Sequence, residues 1–446
     1  MRPLALARCR MLKQFTIVCA VTLSAGVSAA QEPIVPQRLP LKEALSLAFD
    51  RNPTLAAVRT EIDVAQANQL DVSRRLNPAL TIESAGYGPG RREAPSFLNN
   101  QELSFRFDQE IEFGGRRSLR IAAAEKGIAA ATAQVDNARR LLALDVQRAY
   151  FQAVLATADR DVARASIDEI DRAISLNRAR FEKGEISGGE LRRVQVERLR
   201  FVDDVFAAEL ALRNAKSALL ALMNVTDLAA SFEVVEPLAA GSVAATATAP
   251  GVIAAVLPGN IGGQGTTLAA EAILRRPDVL AAQREVERAD TETRLQRALR
   301  SPNLTLGAGY KRDFGSNGLI IGGTLPLPFF NRNQGGVARA AAERAQAGHR
   351  ARIAELSVRL DVQQAANAVD VNRERVAYIE REYLTMARES RDIVLASYRL
   401  GAANLIDFLD AQRAFRETVR TYNRALYEHR ISIFELAAAA SLPQQQ

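Results

Sequence analysis

The chain runs to 446 residues, with 58 Lys and Arg against 51 Asp and Glu, two His, two Cys and no Trp. So few aromatics beside so much Ala, Leu, Arg and Glu disfavour a string of compact globular domains and suit long helices packed side by side. Two histidines and the lack of any nucleophile–base–orienter set point away from an enzyme.

Residues 1–30 read as a secretory leader. Arg2, Arg8, Arg10 and Lys13 precede the apolar "FTIVCAVTLSAGV", and "SAA" supplies small residues for cleavage. About 13 apolar residues are too few to span a bilayer. Cleavage leaves 54 basic residues against 51 acidic ones, so a net charge of +7 becomes +3 and a nucleic-acid role loses its footing. Cys9 and Cys19 leave with the leader, so the mature chain has no disulfide or thiolate chemistry. Cys19, mid-core after Val18, is a poor lipidation site. No other segment holds eighteen uninterrupted apolar residues, so any membrane passage by the mature chain must use strands.

Short helices are predicted at about 41–76, broken near Pro53. Alternating "LTIESAGY" (80–87) and "ELSFRFDQEI" (102–111) predict a hairpin at about 79–112, with Leu103, Phe105 and Phe107 opposite Ser104, Arg106 and Asp108. No proline occurs from Ser96 to Glu236. An interior proline costs a helix about 3 kcal/mol, and its absence permits one helix over 116–182, roughly 100 Å long. Its seam repeats every seventh residue through Ile121, Ile128, Val135, Leu142, Ala149, Ala156, Ala163 and Ile170. Gly184, Gly188 and Gly189 then allow a reversal into a returning helix, 188–226. Residues 237–266, rich in Pro, Gly, Ala and Thr, read as a linker. Short helices at 267–300, broken near Pro277, follow. "NLTLGAGY" (303–310) and "GLIIGGTLPL" (318–327) predict a hairpin at about 303–328. A long helix from 334 carries Val362, Val369, Val376 and Tyr383 on its seam, turns at Gly401 and returns over 404–440.

The chain is written twice. Pro53 and Pro277 are 224 apart, as are Pro78 and Pro302. "FGGRRSLRIAAAE" matches "NRNQGGVARAAAE", and Gly184, Glu190 and Gln195 fall on Gly401, Asp407 and Gln412 at 217. The expected organisation is a first repeat over 31–236 and a second over 267–446. The fold class is mainly α with a small β part, built as long coiled-coil hairpins plus four strands per chain. Apolar-out, polar-in strands of about ten residues suit a membrane barrel as well as an ordinary sheet. Four strands cannot close a barrel, and open edges in lipid cost several kcal/mol per unpaired group, so copies must share one. Two copies would give eight strands and three would give twelve.

The duplicated strand–strand–long-helix–turn–helix unit, the paired prolines and "YRLGAANLIDFLDAQ" together resemble the TolC family of outer-membrane efflux channels, over nearly all of 40–440. "QEIEFGGRRSLRIAAAE" (109–125) is similar to the cobalt–zinc–cadmium, CzcC-type, heavy-metal subunits; multidrug members carry a Trp-Gly pair near this point. The resemblance implies a homotrimer sharing a twelve-stranded β-barrel in the outer membrane of a Gram-negative bacterium. The barrel continues into the periplasm as a helical tube, which docks through a periplasmic adaptor (membrane fusion) protein onto an inner-membrane RND pump. It implies a passive duct for divalent heavy-metal cations, with no cofactor. Alternatives are a multidrug or type I secretion channel of the same fold and a periplasmic coiled-coil scaffold.

The resemblance also places a gate on Asp407 and Asp410, within "IDFLDAQ", with Glu190 at the repeat-equivalent position; three copies would form a negative ring favouring cations. Arg192, Arg193 or Arg399 are expected to balance it. Such acids also serve simply to solvate a helix start or meet its dipole. Arg180, Phe181, Gly184, Gly188, Tyr398, Arg399, Gly401 and Ala402 are candidates for adaptor docking, or for local packing of the turns. Family members carry an Arg where this chain has Ala403, which puts the family's interhelix lock in doubt. His349 and His429 lack ligand partners at metal spacing, and only Met223 and Met386 remain in the mature chain, so no metal site is expected. "GYGPGRR" and "GNIGGQG" lack the context of phosphate loops.

Overall fold

Proline placement sets the element order. The computed structural model describes residues 35–85, 102–238, 265–313 and 316–442; the leader, most of the linker and the "GYGPGRR" loop lie outside them. The first half runs β1 (Arg38–Leu39), α1 (Leu41–Arg51), α2 (Pro53–Ser73), β2 (Ala79–Ala85), β3 (Glu102–Ile111), α3 (Arg116–Glu182), α4 (Gly188–Leu222) and β4 (Glu233–Val234). The second runs α5 (Gly265–Arg275), α6 (Pro277–Ala298), β5 (Leu304–Asp313), β6 (Ser316–Thr324), α7 (Gln334–Tyr378), a π-helical turn (Ile379–Leu384), α8 (Thr385–Arg399) and α9 (Leu405–Ala439). The class is mainly α, with two long hairpins and four principal strands.

Pro53 and Pro277 each occupy the first position of a helix, where a missing N–H costs nothing. The residue before each proline ties the start of its half to the end of its hairpin. Asn52 accepts from the N–H groups of Thr54 (2.9 Å) and Leu55 (3.1 Å), while its amide donates to the carbonyl of Leu222, the last residue of α4 (2.9 Å). Arg276, its buried counterpart, pairs with Asp278 (2.5 Å) and Asp361 (2.8 Å) and reaches the carbonyl of Ala439, the last residue of α9 (3.5 Å).

The α3 seam holds throughout: none of its eight heptad residues is exposed. The second seam does not hold to its end. A π turn places one extra residue in the winding, so Ile379 takes the buried place and Tyr383, expected on the seam, stands exposed. Around α3 pack α4, α2 and α6; α6 lies between α3 and α7, and α9 lies against α7 and α3.

The four strands form one antiparallel sheet in the order β2-β3-β5-β6. Phe105 faces Ile82 on one side and Tyr310 on the other, and Phe107 faces Leu80 and Ala308; Leu319 and Ile321 continue the rows on β6. One face is therefore apolar across all four strands, and it is open, with Leu319 and Ile321 each 85% exposed. The other face carries Thr81, Ser104, Arg106, Asp108 and Lys311, with Arg106 paired to Asp108 at 2.9 Å. Among the described residues the outer edges of β2 and β6 meet no strand.

Candidate functional site

The two hairpin tips are built by one device used twice. At the end of α3, Gly184 takes left-handed backbone (φ 77°), its N–H bonds to Phe181 O, and Glu185 N–H bonds to Arg180 O, both at 2.9 Å. At the end of α8, Gly401 (φ 79°) bonds to Tyr398 O at 3.1 Å and Ala402 to Ser397 O at 2.8 Å. These are Schellman closures, which require a residue tolerant of positive φ. Each returning helix then opens on a reciprocal cap. Ser187 Oγ accepts from Glu190 N–H (3.2 Å) and Glu190 accepts from Ser187 N–H (3.3 Å). Asn404 accepts from Asp407 N–H (2.9 Å) and Asp407 accepts in return (3.4 Å). The repeated acid thus has a local reason: it closes a capping box. Both acids remain exposed.

Asp410, also exposed, pairs with Arg413 one turn on at 3.0 Å, and Arg413 reaches Glu197 of α4 at 3.7 Å. Within one chain the cation beside these acids is Arg413 rather than Arg192, Arg193 or Arg399. Arg413 shares the helical face of Asp410, whereas those three form no ion pair with the acids among the described residues.

Above the turns the two hairpins are clasped. Arg180 of α3 donates to the carbonyls of Tyr398 (2.8 Å) and Arg399 (3.1 Å) at the end of α8, with its guanidinium 5.3 Å from the Tyr398 ring. Asn177, buried, donates to Tyr398 Oη and to Ala173 O. The Tyr398 ring stacks on Phe408 at 4.9 Å, inside an apolar cluster with Ile170, Val194, Phe201 and Leu409. Higher up, Arg416 meets Asp204 at 2.9 Å and covers the Phe201 ring at 4.7 Å; burial lowers its affinity for a proton although Asp204 opposes that. Arg198, bonded to Asp171 at 2.6 Å, holds that carboxyl below its usual range. A cavity of about 500 Å³ lies between the tips, walled by Asn177, Arg180, Glu190, Tyr398 and Asn404 among others.

Two docking expectations change. Tyr398 is 3% exposed and packs inward, so its side chain is not offered to a partner, and Arg180 is engaged in the clasp. Phe181, Gly184, Gly188, Arg399, Gly401 and Ala402 remain at the surface. Leu400, which sequence reasoning missed, is 86% exposed at the very tip. Asn177 and Arg413 were missed as well, and so were the caps, whose signal was the spacing of Ser187 to Glu190 and of Asn404 to Asp407. Ala403 joins the apolar cluster, and the cation at the joint comes from Arg180 on the other hairpin. Among the described residues no three of His, Cys, Asp and Glu gather as a metal site, and no helix is long and apolar enough to cross a membrane.

The description "Outer membrane efflux protein" fits residues 44–225 and 268–441, one match to each half. The chain belongs to the outer membrane efflux protein family. A similar relative, the cobalt-zinc-cadmium resistance protein CzcC of Cupriavidus metallidurans, is 26% identical over 425 residues, covering 94% of each chain. The nickel and cobalt resistance protein CnrC of the same organism is 27% identical, covering 72% of this chain and 69% of its own. Among solved structures, the channel protein CusC superposes with a TM-score of 0.73 at 18% identity, covering 90% of this chain and 91% of that one. Membership explains the open sheet: this is an outer-membrane efflux channel of a Gram-negative cell, and its four strands are part of a shared barrel whose apolar face meets lipid.

Proposed function

We infer that three copies of the chain form the passive exit duct of a tripartite efflux assembly for divalent heavy-metal cations. Eight strands from two copies make a barrel whose interior side chains fill it; twelve is the smallest multiple that leaves an aqueous lumen. The observation that carries the cargo is the end-to-end likeness to CzcC, joined by CnrC, both named for metal resistance. The tips supply the physical counterpart. Asp407, Asp410 and Glu190 are exposed at the hairpin ends, and threefold repetition makes them a negative ring that favours cations. Exposed Phe181 and Leu400, with Gly184, Gly188, Arg399, Gly401 and Ala402, form the surface for a periplasmic adaptor, which links the duct to an inner-membrane RND pump. The chain performs no chemistry of its own; the pump supplies the energy. Deleting the gene should sensitise cells to cobalt, zinc, cadmium or nickel and leave susceptibility to dyes and hydrophobic drugs unchanged. Drug sensitivity with unchanged metal tolerance would overturn the cargo.

A further inference from the structure

Fixed offsets relate the two halves, and they turn the join inside one chain into a template for the join between chains. Pro53 and Pro277 both start helices, an offset of 224 that carries α2 onto α6 and β2 onto β5. Gly115 and Asn333 both cap the long helices in left-handed backbone, an offset of 218 that carries β3 onto β6 and α3 onto α7. The hairpins obey both offsets at once: Thr81 faces Arg106, and the shifted positions Thr305 and Thr324 also face each other.

Inside the chain the halves meet along β3–β5 and α3–α6. The matching edge of β6 and the outer edge of β2 are free. Shifting the β3–β5 pairs by the two offsets brings Thr324 opposite Ala85, Leu327 opposite Ile82 and Phe329 opposite Leu80 of the partner subunit. On the same scheme the counterpart of β3 should extend to Phe329, yet β6 stops at Thr324, because β5 begins only at Leu304. Beyond that point Leu325, Leu327 and Phe329 stand exposed, on the apolar face by strand alternation.

The prolines in this stretch fit. Two residues separate Asp313 from Ser316, so that facing pair closes the hairpin with mutual bonds. Even-numbered residues of β6 then turn their N–H groups toward β5 and odd-numbered ones toward the free edge. Pro326 and Pro328 are even-numbered and lie past the end of β5, so a ladder to a partner loses no donor.

We propose that Leu325–Phe329 is the unfinished end of β6, which becomes strand when it pairs in this register with β2 of a second copy. In the lone chain Phe329 N–H turns back onto Leu327 O at 2.9 Å, and pairing exchanges that bond for one across the seam. The helices agree independently. Lys126 of α3 pairs with Glu287 of α6 at 2.6 Å, and the offsets carry that pair onto Arg344 of α7 and Asp63 of the partner subunit's α2, again a cation and an anion; Arg344 holds Asp290 of α6 through Nε at 2.9 Å, which leaves its terminal amino groups for the partner's Asp63. Val135, Ala138 and Leu142 pack in or against the core, whereas their counterparts Ile353, Leu356 and Leu360 are 65%, 65% and 57% exposed, as residues awaiting a neighbour would be.

The inference rests on the shared-barrel reading, and the test separates the two. The chain has no cysteine after Cys19, so paired cysteines can be introduced cleanly. Thr324 and Ala85 would form a non-hydrogen-bonded pair about 4.5 Å apart at Cα, within disulfide reach. Thr324→Cys with Ala85→Cys should give covalent dimers and trimers on mild oxidation of outer membranes. The yield should be at least tenfold above that of Thr324→Cys with Glu83→Cys, which is two residues out of register. Asp63→Lys should weaken the detergent-resistant trimer and Asp63→Glu should leave it intact, with Arg344 unaltered because it also holds Asp290 at 2.9 Å. A trimer that forms normally but cross-links better at another register overturns this inference and leaves the shared barrel intact. Absence of any oligomer of the unaltered chain overturns both.

Discussion

Replacing Arg180 with Ala measures what the tip clasp contributes. Its guanidinium donates to Tyr398 O at 2.8 Å and Arg399 O at 3.1 Å and lies over the Tyr398 ring. A hydrogen bond from a charged group contributes about 1.5–3 kcal/mol. A cation at the free carbonyls of a helix end adds about 0.3–1 kcal/mol. The side chain is partly exposed, so solvent screening removes a share, and about 2 kcal/mol per chain is the working total. At about 1.4 kcal/mol per factor of ten, this is roughly a 30-fold shift from clasped toward parted tips. In planar bilayers Arg180→Ala should therefore raise conductance or open time. Arg180→Lys, which keeps a cation near the helix end but loses the stacking, should fall between. Trimer melting in detergent distinguishes general damage, which lowers the melting point without altering conductance. If Arg180→Ala channels conduct like the unaltered protein, the clasp does not restrain the mouth.

Other substitutions probe the same site. Gly184→Ala and Gly401→Ala place a Cβ at φ 77° and 79°, and each should cost about 1–2 kcal/mol in urea unfolding. Phe408→Ala removes a fully buried ring and should cost about 3–5 kcal/mol, whereas Tyr398→Phe, losing only the bond from Asn177, should cost about 1 kcal/mol. Asp407→Asn and Asp407→Ala both remove the charge. The amide retains an acceptor for the cap, so Ala should be less stable by about 1 kcal/mol, while the two should lower cation preference equally in reversal-potential measurements. For Asp278, burial opposes ionisation but the bonds and charge of Arg276 prevail, so its folded pKa lies below the unfolded one. That stability is complete above the unfolded value and is lost as pH falls through the folded one. Asp278→Asn should therefore flatten the acid limb of a pH–melting curve.

Much of the fold was legible because its signals are periodic. The proline gap, the heptad of α3 and the alternation of β3 each state one geometry many times over. The break in the second long arm was not legible: "IEREYL" has no proline or glycine to announce a π turn, and only the exposure of Tyr383 reveals the shift. The clasp was half legible. Arg180 and Tyr398 were singled out as surface groups, but their meeting depends on the approach of two hairpins separated by more than two hundred residues, which no local pattern encodes.

The acidic mouth divides along the same line. Glu190 and Asp407 recur because each returning helix needs a cap, so their repetition by itself says nothing about cations. Asp410 carries more information, since no cap requires it and its pairing with Arg413 is exposed. Its counterpart at the 217-residue offset is Arg193, of opposite charge. The two halves therefore share a turn and its capping acid, Glu190 or Asp407, and differ in sign one helical turn beyond it, with Arg193 on α4 and Asp410 on α9. The capping box closes without Asp410, and its exposed pairing with Arg413 adds little to helix stability, so on the gate reading its charge serves the mouth. Asp410→Asn should thus reduce cation preference with almost no change in trimer melting. Arg193→Asp, if the α4 side lies away from the ion path, should leave the preference unchanged. An equal effect from both variants would mean that the ring draws on both hairpins alike.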